Sequence, residues 1–157
     1  MRGHSGFAGE LGHVIVVPEG RPCGCGRRGC LEQYCSATGL ARTYCELNPE
    51  APEDVDAHGV FERAQAGEAA ALAAFEAMGA TLGLALANSV AYTSPEAIFL
   101  FGGVTAAGET LFGPVRRHLD AHLLNIYRGT VRVDASGLPG DDAALLGAAS
   151  LAWQRAT

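Results

Sequence analysis

The chain has 157 residues, of which 48% are hydrophobic and 18% charged, and its formal net charge is −6. This length and composition are typical of one soluble globular domain with a sizeable core. The acidic balance argues against a nucleic-acid partner, because proteins that bind phosphate backbones need a basic face. Gly, Ser and Asn interrupt the apolar runs before they reach the length of a membrane span, so we expect no membrane partner and a cytoplasmic location.

Residues 6–32 hold the most specific pattern in the chain. A histidine is followed by three cysteines in a glycine-rich loop, and the predicted metal ligands are His13, Cys23, Cys25 and Cys30. Thiolates and an imidazole in a loop that can turn tightly suit a four-coordinate zinc ion. Because four protein ligands close the coordination sphere, we expect a structural zinc. The alternatives are disulfide bonds and buried free thiols; the polar loop and the closeness of its first two cysteines argue against them.

Two carboxylates flank these ligands. Glu10 precedes His13 by three residues, so one tight turn would point both side chains at the same place, and Glu32 lies two residues after the last cysteine. Carboxylates beside an imidazole suit the vicinal hydroxyls of a sugar. If one ring nitrogen of the histidine binds zinc, the other N–H is left to donate to that sugar. The alternative, that both glutamates are solvated or cap helices, stays open, since a carboxylate is favoured at a helix start in any case.

The rest of the sequence predicts a mixed succession of helices and strands. Short apolar runs rich in β-branched residues predict strands at 14–17, 97–101 and 130–133. Residue spacing together with start and stop signals predicts helices at 31–47, 57–66, 68–92, 110–124 and 143–154. We expect Asp56 to cap the second of these helices and Asp141 or Asp142 to cap the last. Cys35 and Cys45 have no neighbour at ligand spacing and are predicted to be packing residues.

A double glycine, Gly102-Gly103, follows the apolar run at 97–101. The continuous apolar character of that run predicts a strand buried on both faces. Glycines at the carboxyl end of such a strand let a ligand approach the backbone, and open α/β sheets bind nucleotides there. A turn without any ligand is the alternative. The surrounding order of strand, helix and strand predicts a parallel βαβ unit.

These motifs together closely resemble the signature of the ROK family of bacterial sugar kinases and sugar-responsive repressors. The matching motifs are Gly6-x-Ala8-Gly9-Glu10-x-Gly12-His13, Cys23-x-Cys25-Gly26-x-x-Gly29-Cys30-x-Glu32, Phe101-Gly102-Gly103-Val104 and Leu146-Gly147-Ala148-Ala149. They follow one another in the family's order over nearly the whole chain, and the histidine–cysteine segment is highly specific.

The resemblance implies an α/β fold, the second lobe of an actin-like ATPase (ribonuclease H-like) with a zinc-binding loop. It implies that the four ligands named above bind zinc. It further implies that Glu10, His13 and Glu32 contact sugar hydroxyls and that Gly102 and Gly103 form the adenosine-side turn.

Under this resemblance, residues 1–157 correspond to a single C-terminal lobe, with the zinc and sugar loop at 6–32 and a nucleotide-side α/β unit at 95–157. The family's N-terminal lobe, with its phosphate loops and catalytic aspartate, has no counterpart here, so we expect this chain to contain no catalytic residue. The reaction implied for the full-length form is that of a glucokinase, the Mg²⁺-assisted transfer of the ATP γ-phosphoryl group to a glucose-like hexose. The family also implies a homo-oligomer, a dimer or a tetramer.

Two other functions stay open at this point. The first is a sugar-sensing repressor of the same family, which needs a DNA-binding helix-turn-helix ahead of the kinase-like part. The second is a zinc-stabilised interaction module without sugar chemistry. Binding of hexoses separates the second from the other two, because a pure scaffold responds to none of them.

Overall fold

The computed structural model describes residues 3–138 and 143–156, which form a mixed α/β structure. The helices are α1 (Glu32–Cys35), α2 (Ala37–Leu47), α3 (Ala57–Gln65), α4 (Ala69–Thr93), α5 (Glu109–His122) and α6 (Ala143–Ala156). The strands are β1 (Ala97–Leu100) and β2 (Arg132–Ala135). Short 3-10 turns lie at Leu11–His13, Gly103–Ala107 and Asn125–Tyr127.

The two strands pair in parallel, with Ala97 opposite Arg132 and Leu100 opposite Ala135. Helix α5 connects them, so the predicted βαβ unit is confirmed. The second strand begins two residues later than predicted. Because α4 leads into β1 and α5 leads out of it, the two helices run side by side in the same direction.

Helices α4 and α5 approach each other closely through two glycines. A Cβ atom at Gly79 would overlap Pro114, and one at Gly83 would overlap His118. The spacing of four residues puts both glycines on one face of α4, where they let the neighbouring backbone come near. This contact builds the main core, which includes Phe75, Val90, Val115, Leu119 and Val133.

By length and composition, α4 could cross a membrane, since its mean hydropathy over 18 residues is 1.6. The expectation that no apolar run reaches this length is therefore wrong for α4. Ten of its residues are buried, and 44% of the apolar window lies inside the structure. Packing against α2, α3 and α5 accounts for this composition, because the central helix of a core is apolar on several sides.

The predicted helix at 31–47 is two helices, because Ser36 interrupts it. Ser36 has extended backbone angles (φ −103°, ψ 171°), and its Oγ accepts a hydrogen bond of 3.0 Å from the Gly39 N–H. Serine favours this N-cap role over a helix interior, so the chain restarts as α2. The end of α2 at Asn48 agrees with the prediction.

The predicted strand at 14–17 is wrong. Only Ile15 forms a bridge, to Cys30, and the N–H groups of Val16 and Val17 both donate to the carbonyl of Gly29. The facing segment is a tight loop that offers a single carbonyl where a ladder needs several. The β-branched residues therefore line an irregular segment instead of a strand.

The expectation that β1 is buried on both faces is also wrong. Ile98 and Leu100 pack against the core, whereas Phe99, on the other face, is 61% exposed. Alternate residues of a strand point to opposite faces, and the described helices cover only one face of this two-stranded sheet.

The remaining local predictions agree with the structure where it describes them. Asp56 caps α3 by accepting a hydrogen bond of 2.8 Å from the Gly59 N–H. Cys35 and Cys45 pack against the core as expected. The cap expected at Asp141 or Asp142 lies outside the described residues.

Candidate functional site

Residues 20–30, here termed the metal loop, fold back on themselves as a tight hairpin. Pro22 bridges Arg28, and the Cys23 N–H donates to the carbonyl of Arg27 at 2.9 Å. Gly29 has a φ of +76°, and a Cβ there would overlap the carbonyl of Val17, so only glycine fits. The reversal brings the two ends of the loop, and the cysteines they carry, to the same place.

The structure brings the four predicted metal ligands together. The ligand atoms of His13, Cys23, Cys25 and Cys30 all lie within 4.8 Å of one another. The Cys25 and Cys30 sulfurs are 3.5 Å apart, and the Cys23 Sγ lies 3.6 Å from His13 Nδ1. Around a tetrahedral zinc with Zn–S about 2.3 Å and Zn–N about 2.1 Å, the same edges are about 3.8 Å and about 3.6 Å. The residues present therefore fit this metal, and Nδ1 would be the ligating nitrogen of the histidine.

The thiols of this cluster differ in their surroundings. Cys30 is fully buried, and burial together with the neighbouring thiols raises its pKa to about 11. Cys25 is exposed, and hydrogen bonds from the backbone and side chain of Arg27 lower its pKa to about 6. A divalent cation between the sulfurs would favour the thiolate form of each ligand, so metal binding would release protons.

The other nitrogen of the His13 ring points toward the first predicted carboxylate. Nε2 lies 3.9 Å from Glu10 Oε2, and the Glu10 side chain is 69% exposed. Glu10 precedes the 3-10 turn Leu11–His13 but makes no capping hydrogen bond. The turn predicted from the spacing is present, and it leaves the carboxylate open to solvent beside the imidazole.

The second predicted carboxylate lies on the opposite flank of the cluster. Glu32 is the first residue of α1, and its Oε1 accepts from the Cys23 thiol at 3.3 Å and from Gln33 Nε2 at 3.1 Å. It also lines a polar cavity of about 330 Å³ that includes Ser36 and Arg42. Glu10 and Glu32 thus each contact a different one of the predicted metal ligands, and their free edges face solvent or a cavity.

The double glycine lies at the carboxyl end of β1, as predicted. Gly102 has a φ of +121°, which side chains rarely allow, and a Cβ at either glycine would meet no atom within 4 Å. Both glycines line cavities of about 300 Å³ and 520 Å³. The smaller of these also includes Ser36, so Ser36 lies between the Gly102-Gly103 cavity and the Glu32 cavity.

Arg21, at the start of the metal loop, is a residue of this site that sequence reasoning missed. Its side chain is buried, and its guanidinium binds atoms 12 to 25 residues further along the chain. In the sequence it lies between glycine and proline and looks like an exposed turn residue. No local pattern signals partners at that separation.

Comparison with known proteins places these features in a family. The family model for the ROK family matches residues 1–155. The chain is 39% identical to a glucokinase of Halalkalibacterium halodurans, over 99% of this chain and 50% of that protein. It is 27% identical to the xylose repressor of Bacillus spizizenii, over 96% of this chain and 38% of that protein.

A solved structure has the same fold. The crystal structure of a ROK family glucokinase from Streptomyces griseus, in complex with glucose and AMPPNP, matches with a TM-score of 0.86 at 33% identity. The match covers 98% of this chain and 54% of that one, so the chain spans about half the length of these kinases. The expected actin-like ATPase fold is confirmed. The chain belongs to the ROK family.

Proposed function

We propose that this chain carries the sugar clamp, the zinc scaffold and part of the nucleotide face of a ROK sugar kinase that phosphorylates glucose. The observation that carries the proposal is that the two ring nitrogens of His13 face different groups. One nitrogen lies 3.6 Å from a cysteine sulfur, and the other lies 3.9 Å from the open carboxylate of Glu10. A histidine held in this way joins a metal site to a polyhydroxyl ligand.

In this proposal His13, Cys23, Cys25 and Cys30 would hold a zinc, which would cross-link the metal loop and fix the tautomer of the histidine. With Nδ1 as a ligand, Nε2 of His13 carries the proton and donates to a sugar hydroxyl. Glu10 accepts from a neighbouring hydroxyl. Once Cys23 ligates as a thiolate it has no proton to donate, so Glu32 is released to accept from the sugar as well.

The nucleotide side of the proposal rests on Gly102 and Gly103. Their bare backbone at the carboxyl end of β1 leaves room for the adenosine part of ATP, the phosphoryl donor we propose together with Mg²⁺. Ser36 lines both this cavity and the one beside Glu32. A kinase needs its two substrates side by side, and the shared wall provides that adjacency within one chain.

The transfer itself requires a proton acceptor for the sugar hydroxyl. We assign this role to an aspartate outside residues 1–157, in the part of the family's kinases that this chain does not span. The chain described here then binds and orients the substrates, and the purified chain alone is expected to phosphorylate glucose negligibly. Clear turnover by the purified chain would contradict that assignment.

Metal analysis combined with glucose binding tests the proposal. Purified chain is expected to contain one zinc and to be stabilised by glucose in a thermal-shift series with mannose, fructose and N-acetylated hexoses. Glu10→Gln should keep the zinc and weaken glucose binding, whereas Cys25→Ser should lose the zinc. A chain with zinc that responds to no hexose would point to a zinc-stabilised module, and loss of zinc by Glu10→Gln would contradict the proposed division of roles.

A second candidate is the sugar-sensing half of a ROK repressor, which the match to the xylose repressor supports. The kinase is preferred because the identity is 39% to the glucokinase and 27% to the repressor. Both candidates predict sugar binding by this chain. The longer protein that contains these residues separates them: a kinase forms hexose phosphate from ATP, whereas a repressor releases its DNA when sugar binds.

A further inference from the structure

A buried arginine ties the metal loop to the helices behind it. Arg21 is 7% exposed, and it is the one buried charged residue within residues 3–138 and 143–153. One terminal nitrogen of its guanidinium donates to the carbonyls of Gln33 (2.6 Å) and Gly39 (3.2 Å). The other donates to Thr43 Oγ1 (2.9 Å) and Glu46 Oε2 (2.6 Å). The side chain therefore joins α1 to the first turn, the middle and the last turn of α2.

The backbone of Arg21 makes hydrogen bonds at both of its polar groups, one within the metal loop and one to α1. The Arg21 carbonyl accepts from the Gly29 N–H at 2.8 Å, and its N–H donates to the Tyr34 hydroxyl at 2.9 Å. The guanidinium also lies 4.5 Å from the centre of the Tyr34 ring. Cys23 is two residues after Arg21, and Cys30 directly follows Gly29. The hydrogen bond between Arg21 and Gly29 therefore lies close in the chain to both buried cysteines.

We infer that Arg21 is a positioning residue for the metal and sugar site, and that it holds the metal loop on α1 and α2 so that the cysteines stand in place before the metal binds. The inference rests on the proposed function of the same loop. Anchoring the Gln33 carbonyl also fixes α1, whose first residue is Glu32, so the same contacts set the distance between the cluster and the second carboxylate.

The geometry of the guanidinium explains why arginine occupies this position. Four acceptors on two sides of a planar group match its rigid fork of donors, whereas a lysine ammonium is a single point with three donors. Lysine would keep the charge near Glu46 but release part of the carbonyl contacts. Arg21→Lys should therefore restore only part of the function that an uncharged residue loses.

Cobalt titration tests the inference with matched controls. Co²⁺ in a site with three thiolates and an imidazole gives visible bands that report tetrahedral geometry, and competition with a chelator gives the affinity. Arg21→Met is expected to lower the Co²⁺ affinity about 10- to 100-fold, the range found when a residue that orients ligands is removed. Its visible bands should also change, because the sulfurs are no longer held in one arrangement.

Two controls separate positioning from general stability. Arg117→Met removes an arginine that binds the carboxylate of Glu76 at 2.6 Å, on α5 and away from the metal loop. Val60→Ala truncates a buried side chain of α3 and so lowers the stability of the fold. Both should keep wild-type Co²⁺ affinity and spectrum at a temperature at which each variant is folded. If Val60→Ala weakens Co²⁺ binding as much as Arg21→Met does, the role of Arg21 is structural only and the inference is overturned.

If Arg21→Met does not fold, milder variants take its place. Thr43→Val and Glu46→Gln each remove one acceptor of the guanidinium, and each should lower Co²⁺ affinity several-fold; unchanged affinity in both overturns the inference. Arg21→Lys should lie between wild type and Arg21→Met. A wild-type chain that binds neither Zn²⁺ nor Co²⁺ contradicts the proposed function as well, whereas tight wild-type binding with an unaffected Arg21→Met contradicts only the positioning role.

Discussion

The metal loop and the β1–α5–β2 unit are stabilised in different ways. Beside the loop, Ile15 and Val17 are exposed, and within residues 20–30 the buried side chains are those of two cysteines and an arginine. In the β1–α5–β2 unit, Val115, Leu119 and Val133 are buried in the main core. Polar contacts and ligand geometry define the first region, and apolar packing defines the second. A change that acts on one should therefore leave the other largely intact.

Loss of a metal ligand is the strongest way to test this contrast. Cys25→Ser is expected to weaken zinc binding about 100- to 1,000-fold, since about 10–16 kcal/mol of binding free energy shared by four ligands is about 2.5–4 kcal/mol for each. The helical circular dichroism of the core should remain. Cys45→Ser is the matched control, because Cys45 packs against the core away from the cluster and should keep full zinc content. Equal zinc in both variants would refute the ligand assignment.

Truncation of a core residue should have the reverse effect: it should destabilise the core and leave zinc binding unchanged. Phe75 is buried in α4, and Phe75→Ala should lower the free energy of unfolding by about 3–5 kcal/mol because it leaves a cavity. Urea denaturation measures this loss. While the variant is folded, its zinc content should match wild type; a parallel loss of zinc would mean that loop and core are one cooperative unit.

The division of roles within the metal loop predicts a smaller, specific effect. Glu10→Gln should keep zinc but weaken glucose binding about 10- to 100-fold, because charged hydrogen bonds of this kind contribute about 1.5–3 kcal/mol. Isothermal titration checks the affinity. Glu53→Gln, at another exposed position, is the control and should bind glucose normally. Normal binding by Glu10→Gln would remove this residue from the sugar site.

The smallest predicted effect lies on the surface of the α4–α5 pair. A hydrogen bond with His118 and the nearby Arg117 guanidinium hold the pKa of Glu76 below its usual range. A lowered carboxyl pKa stabilises the fold above the unfolded-state pKa, and this stability is lost as the pH falls through the folded pKa. Glu76→Gln should therefore cost less than about 1 kcal/mol at pH 7, since the groups are half-exposed. In urea denaturation the difference from wild type should vanish in acid; a difference that persists there would contradict this origin.

Much of the fold was predictable because the signals are local. The spacing of cysteines and histidine predicted four residues that the structure brings together. A run of apolar residues followed by Gly102-Gly103 predicted a strand and its turn, and the order of strand, helix and strand predicted the parallel pairing. Asp56 was recognisable as the cap of a helix because its partner, the Gly59 N–H, lies only three residues further along the chain.

Most of the features that sequence reasoning missed depend on distant partners, and the break at Ser36 is the local exception. Ser36 breaks a helix that its neighbours favour, because it bonds the Gly39 N–H. The apolar run predicts that Phe99 is buried, yet the described part of the chain leaves its side of the sheet exposed. Arg21 resembles a turn residue, and only the folded chain brings its guanidinium to the carbonyls of α1 and α2.

The proposed site depends on His13, which would give one ring nitrogen to the metal and the other to the sugar. Nitrogen NMR of the zinc-loaded chain, labelled at histidine and titrated with glucose, tests it directly. We expect Nδ1 to show the shift of a metal-bound nitrogen and Nε2 to carry the proton. The Nε2 resonance should move when glucose is added. A proton on Nδ1, or a ring that titrates freely with zinc present, would contradict it.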